Sequence, residues 1–168
     1  MKYTDECKAI YNAVFGEEDN TFENALFYHC KDCLKYLVKN GEVVTILFLL
    51  PCEINKNKCY YLFAAATKEE ERKKGYMTEL LNSILKENEY QIFLRPANEG
   101  LIGYYEKFGF TKTLGVKKEK NPYIRPIGEF EKLVKAFDFK ESDEEYPLMY
   151  LKNRAPSLEY AGFIHTME

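Results

Sequence analysis

The sequence predicts an α/β (α+β) domain with a central mixed, largely antiparallel sheet of about six to seven strands and helices on both faces. Helix-type and strand-type hydrophobic patterns alternate along the chain. Asn40-Gly41 and the polar segment Asn55–Lys58 are hairpin signals that join three strands into an antiparallel meander. A strand-helix-strand pattern over residues 59–95 then predicts one parallel pair of strands.

The composition is that of one globular domain. The chain has 168 residues, of which 46% are hydrophobic and 30% charged, and its formal net charge is −3. This charge gives no general reason to expect nucleic acid or an anionic membrane as a partner. The longest apolar run, Ile46–Leu50, is too short to cross a bilayer. Because five cysteines without framework spacing fit a reducing compartment, we expect a cytoplasmic protein. We also expect a monomer or homodimer.

Each element follows from a local pattern. Helical spacing predicts helices at residues 3–15, 21–30, 77–88, 99–108 and 127–137. Strand patterns stand at residues 34–38, 43–50, 59–67, 91–94, 111–117 and 146–152, with an acidic loop at 138–145. The second strand is apolar at nearly every position, so both of its faces should be buried.

The segment Leu62–Leu85 reads as a strand, a charged loop and an amphipathic helix. The helix has one apolar stripe, Met77, Leu80, Leu81, Ile84 and Leu85. Arg72-Lys73-Lys74 precede the helix start, where the dipole is also positive and amide donors are unpaired. That placement works against the helix unless an anion binds there. With Gly75, it predicts a phosphate-binding loop; a solvated charge run pairing with Glu69–Glu71 is the alternative.

Two blocks resemble the GNAT acetyltransferase superfamily. The family's acetyl-CoA signature is Arg or Gln, two residues, Gly, one residue, then Gly or Ala. It stands here as Arg72-Lys73-Lys74-Gly75-Tyr76-Met77, with methionine replacing the last small residue. Asn98 followed by Tyr105-Glu106-Lys107-Phe108-Gly109-Phe110 is similar to the family's asparagine and Tyr-x-Lys-x-Gly-Phe block. The specific resemblance covers Leu62–Phe110, and the topology is similar from Leu34 onward.

The resemblance implies acetyl-CoA as the acyl-donor substrate. Backbone groups of the strand would bind the acetyl carbonyl and the pantetheine arm, and amides of the loop would hold the pyrophosphate. The implied cofactor-binding residues are Ala64, Ala65, Ala66, Thr67, Arg72, Lys73, Lys74, Gly75, Tyr76, Met77, Thr78 and Asn98. A backbone N–H directed at the thioester oxygen would stabilise the oxyanion by about 3–4 kcal/mol. The alternative is that the three alanines are only a small-residue strand packed under a helix, and both interpretations can hold at once.

The resemblance also places the catalytic acid at Tyr105. A phenol has an ordinary pKa of about 10, so at neutral pH it has a proton to give to the departing CoA thiolate. The stripe position of Tyr105 argues equally for a core tyrosine, and Asn98 could be a plain helix N-cap. The strand before the signature offers no carboxylate as general base. Glu53, Asp143-Glu144-Glu145 or a water chain could serve, or the amine could arrive neutral.

The segment His29-Cys30-Lys31-Asp32-Cys33 contains residue types that bind zinc. Tetrahedral zinc takes four ligands, usually from two spaced pairs, and no second pair follows, so we expect no metal. The predicted function is transfer of an acetyl group from acetyl-CoA to a small-molecule or peptide amine by direct attack. The alternatives are a catalytically silent acyl-CoA-binding or sensor module and a helix-sheet interaction protein without a cofactor.

Overall fold

The structure, a computed structural model, describes residues 3–115, 123–137, 146–158 and 162–163. The helices are α1 Thr4–Phe15, α2 Thr21–His29, α3 Tyr76–Glu87, α4 Ile102–Glu106 and α5 Gly128–Ala136. The strands are β1 Leu34–Lys39, β2 Glu42–Ile54, β3 Asn57–Thr67, β4 Gln91–Leu94, β5 Phe110–Gly115, β6 Tyr123–Pro126, β7 Tyr146–Leu151 and β8 Gly162–Phe163. Among the described residues, no helix has the length and apolar character needed to span a membrane.

The strands form a mixed sheet with one parallel pair near its middle. Their hydrogen-bonded order is β5-β7-β4-β3-β2-β6-β8, and β1 pairs with β2 outside this order. Cys59–Leu62 of β3 lie parallel to Gln91–Leu94 of β4. The pairs β1-β2, β2-β6, β4-β7 and β5-β7 are antiparallel, while the two-residue β8 lies parallel to β6. The predicted fold class and the predicted parallel pair are therefore confirmed.

The chain divides into two compact units, which are described separately. Unit 1 comprises residues 1–49 and 63–89, and unit 2 comprises residues 50–62 and 90–168. The long strands β2 and β3 contribute residues to both units. The expectation of a single domain stays a prediction.

Unit 1 contains α1, α2, β1 and α3 together with one part each of β2 and β3. Asn40 and Gly41 have positive φ angles of 53° and 79°, as the predicted hairpin requires. Every residue of Val43–Leu49 in β2 is buried, which confirms that both faces of this strand are covered. Phe27 of α2 packs edge-on against Phe48, with 5.3 Å between the ring centroids.

Aromatic rings from β3, β4 and α5 pack together in the core of unit 2. Tyr61 and Phe93 are fully buried and stack with 5.2 Å between their ring centroids, and the ring of Phe130 in α5 lies 6.1 Å from Tyr61. The buried amide of Gln91 donates to the Leu151 carbonyl at 2.9 Å and accepts from the Leu151 N–H at 2.7 Å. These bonds explain how a polar residue can lie in an apolar strand.

The segment after Asn98 differs from its prediction as one long helix. A 3-10 turn, Glu99–Leu101, precedes an α4 of only five residues, so part of the predicted apolar stripe lies outside the helix. Gly100 and Gly103 explain the difference, because glycine lowers helix propensity. Gly109 has a φ of 98° and ends the segment as predicted. Asn98 occupies the cap position, but its side chain makes no capping hydrogen bond, so that part of the prediction is wrong.

Two short strands, β6 and β8, are absent from the sequence prediction. β6 pairs through Arg125 and Pro126 with Glu53 and Cys52 of the extended β2. The end of the predicted strand at residues 116–117 and the predicted acidic loop at residues 138–145 lie outside the described residues.

Candidate active site

The predicted acetyl-binding strand has an irregular backbone. Ala64 has a φ of +56°, in the left-handed region that alanine rarely adopts. The register that joins β3 to β4 covers Cys59–Leu62, and Ala64–Thr67 lie beyond it. An irregularity of this kind turns backbone groups away from the regular ladder and is frequent beside ligand sites. The conformation of Ala64 therefore supports a role for this backbone in binding.

A buried threonine of β2 holds the end of this strand. The Thr45 hydroxyl donates a hydrogen bond to the Ala66 carbonyl at 3.0 Å. Because the single hydroxyl proton of Thr45 is used in that bond, its oxygen accepts a hydrogen bond from the Thr67 hydroxyl at 2.9 Å. The Sδ atom of Met77 lies 3.9 Å from the same oxygen. Thr45, which is fully buried, therefore links β2, the end of β3 and the first turn of α3.

The helix α3 begins at an open glycine. Gly75 has a φ of +80°, and a Cβ placed there would have no heavy atom within 4 Å. The first bond within the helix runs from the Glu79 N–H to the Gly75 carbonyl at 3.0 Å. The amides of Tyr76 and Met77 precede that bond, at the positive end of the helix dipole. This geometry suits a phosphate group.

The departure from the family signature at Met77 leaves this opening clear. The Met77 side chain is half-buried, and its sulfur contacts Thr45 of β2. The open space lies instead at Gly75. The larger side chain is therefore accommodated by packing against the sheet.

The arginine of the loop is anchored to the end of the strand. Arg72 Nε donates to the Thr67 carbonyl at 3.3 Å. Lys74, by contrast, forms an ion pair with Glu71 at 2.8 Å, and this hydrogen bond raises the pKa of Lys74. The predicted pairing within the charge run thus exists for Lys74, although such exposed pairs contribute little stability. Arg72 has the separate role of joining the loop to β3.

A groove of about 290 Å³ in unit 1 adjoins these residues. One side is formed by α1, including Ala9, Ile10 and Ala13, and the other includes Thr67 and Arg72. The groove therefore brings the end of the candidate cofactor strand and the first cation of the loop onto one accessible surface.

Lys39 of β1 adds a cation beside the first turn of α3. Its Nζ lies 2.9 Å from Glu79 Oε2 and 5.7 Å from the centroid of the Tyr76 ring. Neither Lys39 nor Thr45 is among the site residues predicted from the sequence. Their partners are distant along the chain, and the only available signal was a polar residue at or near the end of an apolar strand pattern.

Tyr105 and Asn98 belong to unit 2. Tyr105 is 8% exposed, and its ring packs edge-on against Tyr104 and Phe110 with centroid separations of 5.4 Å and 5.9 Å. Asn98 is exposed, and its Oδ1 lies 3.0 Å from the point that a Cβ on Gly100 would occupy. A buried phenol fits both a core residue and an acid sheltered from water, so the role of Tyr105 stays a prediction.

The structure describes one of the candidate general bases, Glu53. Glu53 forms an ion pair with Arg125, whereas Asp143-Glu144-Glu145 lie outside the described residues. In the part of the chain that the structure describes, no three His, Cys, Asp or Glu side chains group in a way that could hold a metal ion.

Comparisons with known proteins indicate the same family as the two sequence blocks. The sequence model of the Acetyltransferase (GNAT) family matches residues 4–110, and no match was found among curated proteins. The fold is similar to that of histone acetyltransferase HPA2 and related acetyltransferase from Corynebacterium glutamicum, with a TM-score of 0.60 and 14% identity over 94% of each chain. It is also similar to Arabidopsis thaliana Naa50 in complex with the bisubstrate analogue CoA-Ac-MVNAL, with a TM-score of 0.55 and 17% identity over 89% of this chain and 91% of that one.

Some similar structures are much longer than this chain. The GCN5-related N-acetyltransferase from Kribbella flavida matches 66% of this chain with a TM-score of 0.58 and 14% identity, but the match covers only 32% of its own length. At such identities the structural likeness establishes the fold alone. Because the family model covers well over half of the sequence, the chain belongs to the GNAT acetyltransferase family.

Proposed function

We propose that this chain transfers an acetyl group from acetyl-CoA to an amine acceptor. Membership of the family supports acetyl transfer in general. The observation that carries the proposal is the hydrogen bond from Arg72 Nε to the Thr67 carbonyl, together with the open Gly75 a few residues later at the start of α3. This bond joins the strand expected to bind the pantetheine arm to the loop expected to bind the pyrophosphate.

Acetyl-CoA would bind to unit 1 as the acyl donor. The amides of Lys73–Thr78 would donate hydrogen bonds to the pyrophosphate, and Arg72 would add charge. Backbone groups of Ala64–Thr67 would bind the acetyl carbonyl and the pantetheine arm. One N–H directed at the thioester oxygen would stabilise the developing negative charge by about 3–4 kcal/mol. The analogue bound to Naa50 contains a CoA portion, which is consistent with this donor.

The amine would attack the thioester carbon directly. A carbon–nitrogen bond forms, the carbon–sulfur bond breaks, and the sulfur leaves with the bonding electron pair. Tyr105, at the position of the family's acid, would give its proton to this thiolate. A phenol in general has a proton to give at neutral pH, and the side chain of Tyr105 is largely shielded from solvent.

The acceptor is proposed to be a small molecule or a peptide with a free amine. We further propose that the protein acts in the cytoplasm as a monomer or homodimer, without nucleic acid or a membrane as partner. Its five cysteines are all thiols, as expected in a reducing compartment.

A catalytically silent acyl-CoA-binding or sensor module is the second candidate. One observation favours it: Glu53, the candidate base that the structure describes, is already engaged by the guanidinium of Arg125. In such a module, the same loop and strand would bind the thioester without an acceptor being acetylated.

Release of the CoA thiol in the presence of acetyl-CoA and a panel of amines distinguishes these candidates. The proposed enzyme releases thiol at a rate that rises with the concentration of at least one amine. Calorimetric binding of acetyl-CoA without thiol release for any amine would identify the silent module. Absence of both binding and release would contradict both candidates.

A further inference from the structure

The side chain of Gln91 lies between two strands of unit 2. The register of β4 with β7 covers Phe93–Leu94 and Met149–Tyr150, and its continuation would pair Ile92 with Leu151. At that point Gln91 Oε1 accepts the Ile92 N–H at 3.0 Å and the Leu151 N–H at 2.7 Å. Gln91 Nε2 donates to the Leu151 carbonyl at 2.9 Å. The side-chain amide therefore bridges the two backbones where the strand register ends.

The same amide holds the segment that follows β7. Gln91 Nε2 also donates to the carbonyls of Arg154 at 2.8 Å and Pro156 at 2.9 Å. Because an amide nitrogen has only two N–H groups, at least one of them is shared between carbonyls. Gln91 is fully buried, and a buried network with satisfied donors and acceptors is rigid. Gln91 thus fixes the end of β7 and the turn after it.

The end of β7 is bonded to the end of the helix that contains Tyr105. The N–H of Lys152, the first residue after β7, donates to the Gly109 carbonyl at 2.9 Å. The N–H of Phe108, directly before Gly109, donates to the Tyr105 carbonyl at 3.0 Å. The backbone of Tyr105 is therefore connected to the end of β7 through a short series of hydrogen bonds.

The ring of Tyr105 is held by the strand that pairs with this part of β7. Leu151 pairs with Phe110, the first residue of β5. Phe110 is buried, and its ring packs edge-on against that of Tyr105 with 5.9 Å between the centroids. Closely packed interiors transmit small displacements from one residue to the next. A shift of Leu151 would therefore change both the backbone and the ring contacts of Tyr105.

We propose that Gln91 is a positioning residue that holds the phenol of Tyr105 where it can protonate the departing sulfur. The inference rests on the proposed function and adds to it a residue that acts only through Tyr105. Because a misplacement of about 1 Å can slow a reaction about a hundredfold, loss of the Gln91 amide should lower the rate of transfer. It should leave acetyl-CoA affinity unchanged, since the residues proposed to bind the pyrophosphate and the pantetheine arm belong to unit 1.

Two variants of Gln91 test this assignment. Gln91→Met removes the amide at nearly constant length, whereas Gln91→Glu keeps an acceptor oxygen and loses donated bonds. Leu133→Ala, at a fully buried position of α5 in the same unit, is the control for lost packing. Transfer of a labelled acetyl group to an amine at saturating acetyl-CoA gives kcat, and calorimetry gives acetyl-CoA affinity. Both are measured at a temperature at which urea unfolding shows that the variants are folded.

We expect Gln91→Met to lower kcat about ten- to hundredfold, with acetyl-CoA affinity within about twofold of that of the natural protein. Gln91→Glu should lower kcat by a smaller factor, and Leu133→Ala should change it by less than about twofold. The Gln91→Met change is then repeated in a Tyr105→Phe background. There it should alter kcat by less than about twofold, because no acid remains to be positioned. A purely structural role would lower kcat by the same factor in both backgrounds.

Three results would overturn the Gln91 assignment alone, provided that the natural protein transfers acetyl and Tyr105→Phe is slow. They are a kcat of Gln91→Met within about twofold of that of the natural protein, an equal loss of kcat in both backgrounds, and failure of both Gln91 variants to fold. The last result would show that the amide is needed for the fold itself. Absence of acetyl transfer by the natural protein, or a Tyr105→Phe variant as fast as the natural protein, would be a failure of the proposed function and would overturn this inference with it.

Discussion

The hydroxyl of Thr45 donates a hydrogen bond to the carbonyl of Ala66 over 3.0 Å. Thr45 is fully buried near the start of β2, with apolar residues on either side of it in the chain. Its oxygen also accepts a hydrogen bond from the hydroxyl of Thr67. The backbone that is expected to bind the thioester is thus positioned by a side chain from another strand.

Thr45→Val should weaken both the fold and cofactor binding. Valine has nearly the same shape, but it leaves the Ala66 carbonyl and the Thr67 hydroxyl without their partner, at a cost of about 1–3 kcal/mol in unfolding free energy. We expect acetyl-CoA affinity to fall several-fold, measured by calorimetry beside urea unfolding. Thr111→Val, at a half-buried strand position of unit 2, is the control. An acetyl-CoA affinity unchanged by Thr45→Val would show that Thr45 supports the fold only.

Gly75→Ala should reduce acetyl-CoA affinity beyond its effect on folding. Gly75 and Gly41 have φ angles of 80° and 79°, and a Cβ added at either position would have no heavy atom within 4 Å. Alanine should therefore destabilise the fold similarly at both positions, by about 1–2 kcal/mol. Only at Gly75 would the new methyl group stand where the pyrophosphate approaches. Calorimetry on both variants checks this, and equal acetyl-CoA affinities would contradict a cofactor contact at Gly75.

Local chemistry is what made parts of the fold predictable. The two positive φ angles of the first hairpin fall on Asn40 and Gly41, the residue types that tolerate them. The turn could therefore be predicted from two adjacent residues. β6 could not be predicted, because it has only four residues, one of them a proline, and its partners, Cys52 and Glu53, are distant in sequence. Strand pairing of that kind depends on the assembled sheet.

The same distinction applies to the candidate site. The loop Arg72–Gly75 could be proposed as a phosphate site from the sequence, because three cations at a helix start are electrostatically unfavourable without an anion. Thr45 could not be identified, since a threonine within an apolar run has the same appearance whether or not it bonds to Ala66. Glu23 is one charged residue within the helix predicted for residues 21–30, and only the packing of α2 reveals that its side chain is buried.

Tyr11→Phe should reduce the loss of folding stability that occurs as the pH rises above about 10. Burial, followed by the charges of Glu23 and Glu17, raises the pKa of Tyr11 to about 12, whereas an unfolded tyrosine ionises near pH 10. Between about pH 10 and pH 12 the unfolded chain therefore releases this proton more readily, and the folded state loses stability as the pH rises. Below about pH 10 the contribution is fully present.

Thermal unfolding midpoints across this pH range measure the effect. Tyr28→Phe, at a side chain that is 76% exposed, is the control. Some slope should remain in Tyr11→Phe, because burial also raises the pKa of Cys7 and of Cys59 to about 12. Identical slopes for Tyr11→Phe and the natural protein would contradict the assignment of this titration to Tyr11.

In the proposed reaction, the chain transfers an acetyl group and Tyr105 protonates the departing sulfur. Its most direct test is to follow an isotopically labelled acetyl group from acetyl-CoA to an amine by mass spectrometry, at saturating donor. We expect labelled amine with the natural protein, and a kcat lowered by about 10²–10⁴-fold in Tyr105→Phe at unchanged acetyl-CoA affinity. Tyr104→Phe, on the neighbouring ring, should leave kcat unchanged. Labelled product for no amine, or a Tyr105→Phe variant as fast as the natural protein, would contradict the claim.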